Sequence, residues 1–251
     1  MIKLFNLISN YIDIRLTDSI GSNNGSKREE WIKSELQNFE KGLKILDAGA
    51  GEAQYKKYCL HLDYTAQDIA VYEGVGNQEG FQTGERDYSN LDIISDIYDI
   101  PVEDGSFDIV LCSEVIEHIT DPVKVFSEIN RVLKKDGILI ITAPFNSLTH
   151  YAPFHYSTGF SRYFYEFHLP LNGFEILLLK PNGNYFEYLA QELRRIKSVS
   201  QQYSNQQIGI LGKIFIKAVL NLLKKSSASD NGSYDLLCYG YHVKCRKVAS
   251  T

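Results

Sequence analysis

The chain has 251 residues, a formal net charge of −5, 44% hydrophobic and 23% charged residues. That length supports one large core with room for a helical annex, and the acidic balance offers no basic footprint for a nucleic-acid backbone. Cys59, Cys112, Cys238 and Cys245 lack the C-x2-C spacing of a zinc or redox motif, so reduced thiols are expected.

Residues 1–43 read as amphipathic helix, interrupted by the turn-like "SIGSNNGS" at 19–26, and are expected to form an N-terminal lid. No secretion signal and no apolar run of transmembrane length is read in the chain. From Lys44 the texture changes to short apolar runs: "KILDA" (44–48), "DYTAQD" (63–68), "LDIISD" (91–96), "FDIVLCS" (107–113) and "GILIITAP" (137–144). Between the last two, "DPVKVFSEINRVLKKDG" (121–137) predicts a helix with Asp121 as cap, Pro122 in the first turn and Gly137 as its stop. "FEILLLK" (174–180) and "YDLLCYGYHVKCR" (234–246) supply two later strands, with helical patterns at 184–200 and 207–225 between them. Strands alternating with helices predict an α/β, Rossmann-like fold: a mostly parallel seven-stranded sheet covered on both faces. The expected layout is a core of 44–183 and 234–248, with a helical insertion at 184–233.

"ILDAGAGEAQY" (45–55) places a glycine turn after the first strand, where open parallel sheets bind ligands. A dinucleotide fingerprint wants a third glycine, and Gln54 stands there instead. Pyrophosphate also prefers bare amides, whereas this turn carries Asp47 and Glu52. The acids suit a cofactor with a cationic end and no phosphate, which favours S-adenosylmethionine over NAD. Asp68 ends the second strand, where a carboxylate can take both ribose hydroxyls; Asp96 follows the third, with Ile97 beside it to pack on a base.

These segments, with "SDIYDIPVEDGSFDIVLCSEVIEHITDPVKVFSEINRVLKKDGILIITAPF", resemble the class I S-adenosylmethionine-dependent methyltransferases over about residues 30–180. The resemblance implies that Asp47, Gly49 and Gly51 line the methionine end of the cofactor. It places Asp68 at the ribose, Asp96 and Ile97 at the adenine, and Ser113 facing the site, with Ile69 a further cofactor-binding residue. Ala53 stands where the family often has a further glycine, a small residue expected to be tolerated.

The acceptor is less legible. Glu114 and His118, four apart in "SEVIEHI", are expected to share a helix face, with His118 mainly a pocket wall and secondarily a base. After the fifth strand, "NSLTHYAPFHYSTGFSRYFYEFH" (146–168) offers His150 and His155 as candidate bases and Tyr151, Tyr156 and Arg162 as acceptor contacts. No recognisable metal-ligand set stands out. Nucleic-acid amino methyltransferases of this fold carry an N-P-P-Y-like motif where this chain has "CSEV", so no nucleic acid is expected. The expected acceptor is a hydroxyl of a glycan, for instance in polysaccharide biosynthesis, or of a small secondary metabolite. The rival is a non-catalytic S-adenosylmethionine-binding regulator or scaffold. Residues 208–225, apolar with Lys213, Lys217, Lys224 and Lys225, predict a subdomain or homodimer helix, or else a peripheral membrane contact. A cytoplasmic location follows, the inner membrane face being the alternative.

Overall fold

A computed structural model describes residues 20–204 and 206–248 of the chain. Residues 1–19 of the lid expected of the N-terminus therefore lie outside the described residues. The chain divides into two compact units, residues 28–182 with 240–251 and residues 1–27 with 183–239.

The first unit holds one seven-stranded sheet in the order β3-β2-β1-β4-β5-β7-β6. Its strands are β1 (Lys44–Ala48), β2 (Asp63–Asp68), β3 (Ile93–Ile94), β4 (Phe107–Ser113), β5 (Leu133–Pro144), β6 (Phe174–Asn182) and β7 (Gly240–Lys247). β1 to β5 pair in parallel, and β7 runs antiparallel between β5 and β6. Strands covered on both faces read as continuous apolar runs; Ile45 and Leu46 of β1 and Val110 to Cys112 of β4 are fully buried. Helix α1 (Asn24–Gln37) buries Ile32 and Leu36 against Ile45, Ile109 and Leu111, so its later turns belong to this core.

Helix α2 (Pro122–Val132) starts as the sequence predicts, with the Asp121 side chain accepting from the Lys124 amide at 3.2 Å. It ends at Val132, five residues before Gly137. Leu133 turns into the sheet to pair with Phe107, and the Lys134 ammonium meets Asp108 at 2.7 Å, so tertiary pairing overrides the helical pattern of "LKKD". The predicted third strand shrinks to Ile93–Ile94, and the last strand begins at Gly240 rather than 234. Helix α3 (Arg162–Leu171) precedes β6, and Gly173 closes it with φ +78°.

The second unit is helical. Helices α4 (Tyr185–Tyr203) and α5 (Ile210–Ala228) bury Ala190, Leu220 and Leu223 together with Ile20. Asn184 caps α4 by accepting from the Glu187 amide at 3.0 Å. Gly21, at φ +75°, lies so close to α4 that a Cβ there would meet the Ala190 carbonyl carbon at 2.4 Å. The opposite flank of α5 leaves Leu211, Phe215 and Leu222 largely exposed. No helix among the described residues is long and apolar enough to cross a membrane.

Candidate active site

The sheet order reverses between β1 and β4, and the glycine turn leaves β1 at that switch point. Gly49 and Ala50 both donate to the Gln67 carbonyl at 2.8 Å, which folds the turn back over β2. Gly49 has φ +76°, and a Cβ on it would meet Val115 Cγ2 at 2.4 Å. Glycine is required there twice, for its dihedral and for the close approach. Ala53 also adopts a left-handed conformation, φ +56°. The family's glycine would take it freely; alanine costs roughly 1–2 kcal/mol there, more than the sequence suggests.

Asp68 ends β2 with both carboxylate oxygens oriented by backbone amides: Gly51 donates to Oδ2 and Ala70 to Oδ1, each at 2.9 Å. A carboxylate has about four acceptor positions, so about two remain for a ligand. Ile69 beside it is 46% exposed and free to lie against a ligand, whereas Ile97 is buried. Asp96, after β3, accepts from the Tyr98 amide at 2.9 Å.

Asp47 and Glu52 behave differently from the expectation. Asp47 is buried and accepts from the Tyr64 hydroxyl at 2.5 Å; burial pushes its pKa up to about 7. Glu52 lies 3.6 Å from the Arg86 guanidinium, which offsets its charge. The cationic preference of the turn is therefore weaker than two free carboxylates would give.

Ser113 ends β4, its hydroxyl 2.9 Å from Thr142 Oγ1 and 3.2 Å from the Tyr55 hydroxyl. Next in the chain, Glu114 takes φ +56° and pairs with Arg28 of α1 at 2.8 Å. Only one 3-10 turn (Ile116–His118) follows, so Glu114 and His118 do not share a helix face as their spacing predicts. Glu114 instead faces α1, and His118 Nδ1 lies 2.6 Å from the Phe154 carbonyl oxygen.

The long loop between β2 and β3 pairs with the loop after β5. Phe81 donates to Thr149 O and accepts from the Tyr151 amide, both at 3.0 Å. Arg86 hydrogen-bonds the Tyr151 hydroxyl and lies over its ring at 5.0 Å, while Tyr72 stacks near the same ring at 4.7 Å. A Cβ on Gly51 would sit 3.4 Å from Arg86 Nη1, so Tyr151 and the glycine turn share one arginine.

Beside Tyr151, the rings of His118, His150 and His155 gather, with centroids 4.7, 4.8 and 5.9 Å apart. Burial, then His150, lowers the His118 pKa to about 4, and burial lowers that of His155 as well. His118 is thus neutral near pH 7 and a weak base. Tyr156 is 52% exposed and contributes its amide, which donates to Glu117 O at 3.0 Å. Arg162 pairs with Glu166 one turn along α3, at 2.6 Å. The structure thus brings together His118, His150, His155 and Tyr151, whereas Arg162 is engaged with Glu166 on α3.

Arg28, Arg86 and Glu117 complete this region and were not legible in the sequence. Arg28 and Arg86 come from outside the motif-bearing segments, and both are recognised only by their partners. Glu117 is fully buried, with its carboxyl pKa raised well above the usual range by burial, and neither oxygen has a hydrogen-bond partner.

Residues 46–141 match the family described as "Methyltransferase domain". The chain is 27% identical over 117 residues to an uncharacterized methyltransferase of Bacillus subtilis, YcgJ, across 44% of this chain and 42% of that protein. A Mycolicibacterium smegmatis protein named "Probable S-adenosylmethionine-dependent methyltransferase" is 27% identical over 126 residues, 47% of this chain and 44% of its own. The chain thus spans less than half the length of either relative. The crystal structure of YcgJ superposes with a TM-score of 0.52 at 13% identity, covering 89% of this chain and all of that one. SpnF, a (4+2)-cyclase, superposes equally well, with a TM-score of 0.52 at 16% identity, covering 87% of this chain and 79% of that one. At such identities the superpositions establish the fold alone. Sheet order, glycine turn and family match converge on residues 46–141, which match a methyltransferase domain, and the chain is similar there to S-adenosylmethionine-dependent methyltransferases.

Proposed function

We propose that this protein transfers a methyl group from S-adenosylmethionine to a hydroxyl oxygen of a glycan or small molecule. The observation that carries the cofactor half is Asp68. Its carboxylate is fixed by the Gly51 and Ala70 amides at the end of β2, leaving acceptor positions for two ribose hydroxyls. The Arg28–Glu114 pair offers opposite charges for the zwitterionic methionine end, and the exposed Ile69 offers apolar surface for the adenosine.

When bound, S-adenosylmethionine supplies an electrophilic methyl on a sulfonium, and the displacement is in line. The protein's part is then positioning and exclusion of water. Tyr151, held by Arg86 and flanked by Tyr72, forms a rigid wall for the acceptor. His150 stands beside it with His155 next in line, and a histidine that takes a hydroxyl proton would suit an oxygen acceptor. The rival reading is a cofactor-binding scaffold without turnover, and the (4+2)-cyclase neighbour illustrates that this fold also serves other chemistry.

Calorimetric titration with S-adenosylmethionine, S-adenosylhomocysteine and NADH tests the cofactor. Micromolar binding of the first two and none of NADH is expected; silence from both adenosyl ligands overturns the reading. Release of S-adenosylhomocysteine on screening glycan and phenolic acceptors separates enzyme from scaffold. A lipid-linked glycan would suit the exposed apolar flank and lysines of α5, as a surface that meets anionic lipid.

A further inference from the structure

We infer that His118, His150 and His155 form a binding site for a divalent transition-metal ion, with Glu117 at its edge. One nitrogen from each histidine lies within 4.8 Å of the other two. Two of the rings are already oriented as ligands. His118 Nδ1 is held by Phe154 O at 2.6 Å and His150 Nδ1 by Leu148 O at 2.9 Å, which fixes the Nδ1-H tautomer and turns the Nε2 lone pair to the other side. Metal-binding histidines are oriented in this way by backbone carbonyls.

The remaining atoms are the second observation. His118 Nε2 and both nitrogens of His155 are buried without a hydrogen-bond partner, as are both oxygens of Glu117. Glu117 Oε1 faces His118 Nε2 at 3.8 Å. Buried polar atoms are nearly always satisfied, and five orphans in one cluster require an explanation. Packing does not supply one, since apolar residues would fill the same space without stranding polar atoms. A cation accounts for most of them: it takes His118 Nε2 and one nitrogen of His155, with a third lone pair from His150, and leaves the carboxyl as a fourth ligand or the partner of a bound water.

Imidazole donors favour zinc, cobalt, nickel, copper or iron over magnesium or calcium. A tetrahedral ion with nitrogens at about 2.0–2.1 Å separates its ligands by about 3.3 Å, so the cluster contracts by about 1.5 Å on loading. The half-buried rings of His150 and His155 supply that movement by side-chain rotation. Three histidines leave a further coordination position open, as in catalytic rather than structural sites.

Metal binding stands on this geometry alone; its use in catalysis rests on the proposed function. With the metal bound, His150 and His155 would serve as ligands rather than bases, and an acceptor hydroxyl at the open position would have its pKa lowered and pass its proton to water. The resulting oxygen then forms the C–O bond as the C–S bond breaks, giving a methyl ether and S-adenosylhomocysteine. Arg86, engaged with Tyr151 and Glu52, would hold the glycine turn and this oxygen site in register.

The test uses the full chain with any affinity tag removed. Chelator-treated protein is titrated with Co2+ and with Zn2+, and retained metal is measured by mass spectrometry after dialysis. The expected result is about one retained equivalent and intense visible Co2+ bands, displaced by Zn2+. His150→Ala and His155→Ala should each weaken binding at least tenfold and bleach those bands, with His168→Ala, in α3, unchanged. Weak Co2+ binding that is equal in all four proteins overturns the site and leaves the histidines as aromatic packing. Calorimetry with S-adenosylmethionine is run on the same samples. Loss of cofactor binding with metal retained would refute the methyltransferase reading and leave the metal site standing.

Discussion

Asp47→Asn tests whether the buried carboxyl at the end of β1 keeps its proton in the fold. Asp47 is buried at the end of β1, with only the Tyr64 hydroxyl as hydrogen-bond donor, and its pKa rises from 3.8 to about 7. Below about pH 4 the carboxyl is protonated folded and unfolded, and stability is unaffected. Between there and about 7 the native state keeps a proton that the unfolded chain releases, so stability falls as pH rises. Above about 7 both states are ionised and the penalty is constant. At about 1.4 kcal/mol per pH unit the full penalty is about 4 kcal/mol. Asparagine cannot titrate and carries none of it, while its carbonyl still accepts from Tyr64. About 1 kcal/mol of it is already present at pH 4.5, so the stability of Asp47→Asn relative to the parent should increase by about 3 kcal/mol from pH 4.5 to pH 8. Urea unfolding of both cofactor-free proteins at those two pH values measures it. His118, whose depressed pKa gives the opposite slope, is present in both proteins and cancels in the difference. Parallel curves across the range would refute the reasoning and mean that Asp47 is ionised in the fold.

Gly49→Ala should abolish cofactor binding and destabilise the fold by at least 1–2 kcal/mol from its positive φ alone, roughly. Adding Val115→Ala should recover the steric part and leave the dihedral strain, read by thermal melting of the single and double variants. Asp68→Ala frees the Gly51 and Ala70 amides and removes the ribose acceptor, weakening S-adenosylmethionine binding by roughly 2–4 kcal/mol in calorimetry. Arg131 donates to Glu128, Asp104 and the carbonyls of Ile100 and Val102. Arg131→Met should cost about 3 kcal/mol in urea unfolding by stranding the largely buried Glu128 carboxylate. If α5 meets lipid, the parent should sediment with anionic vesicles and Lys213→Glu with Lys217→Glu should not; a parent that stays in solution refutes that contact.

What was legible in the sequence is what is encoded locally. The apolar runs at 44–48, 63–68 and 107–113 became strands because parallel strands buried on both faces are continuously hydrophobic. Gly49 and Gly51 announced a turn that needs positive φ, and Asp121-Pro122 announced a helix start. Boundaries failed where a distant partner decides them, as when Phe107 draws Leu133 out of its helical pattern. Charge was misjudged for the same reason: Asp47 and Glu52 read as two free acids, but burial raises the pKa of one to about 7 and Arg86 balances the other. The histidines show the limit most sharply. His118 follows β4, while His150 and His155 follow β5, so no spacing rule joins them. They meet because adjacent parallel strands deliver their following loops to the same end of the sheet. Position in the fold, not proximity in the chain, is what places three imidazoles and a buried carboxyl beside the glycine turn.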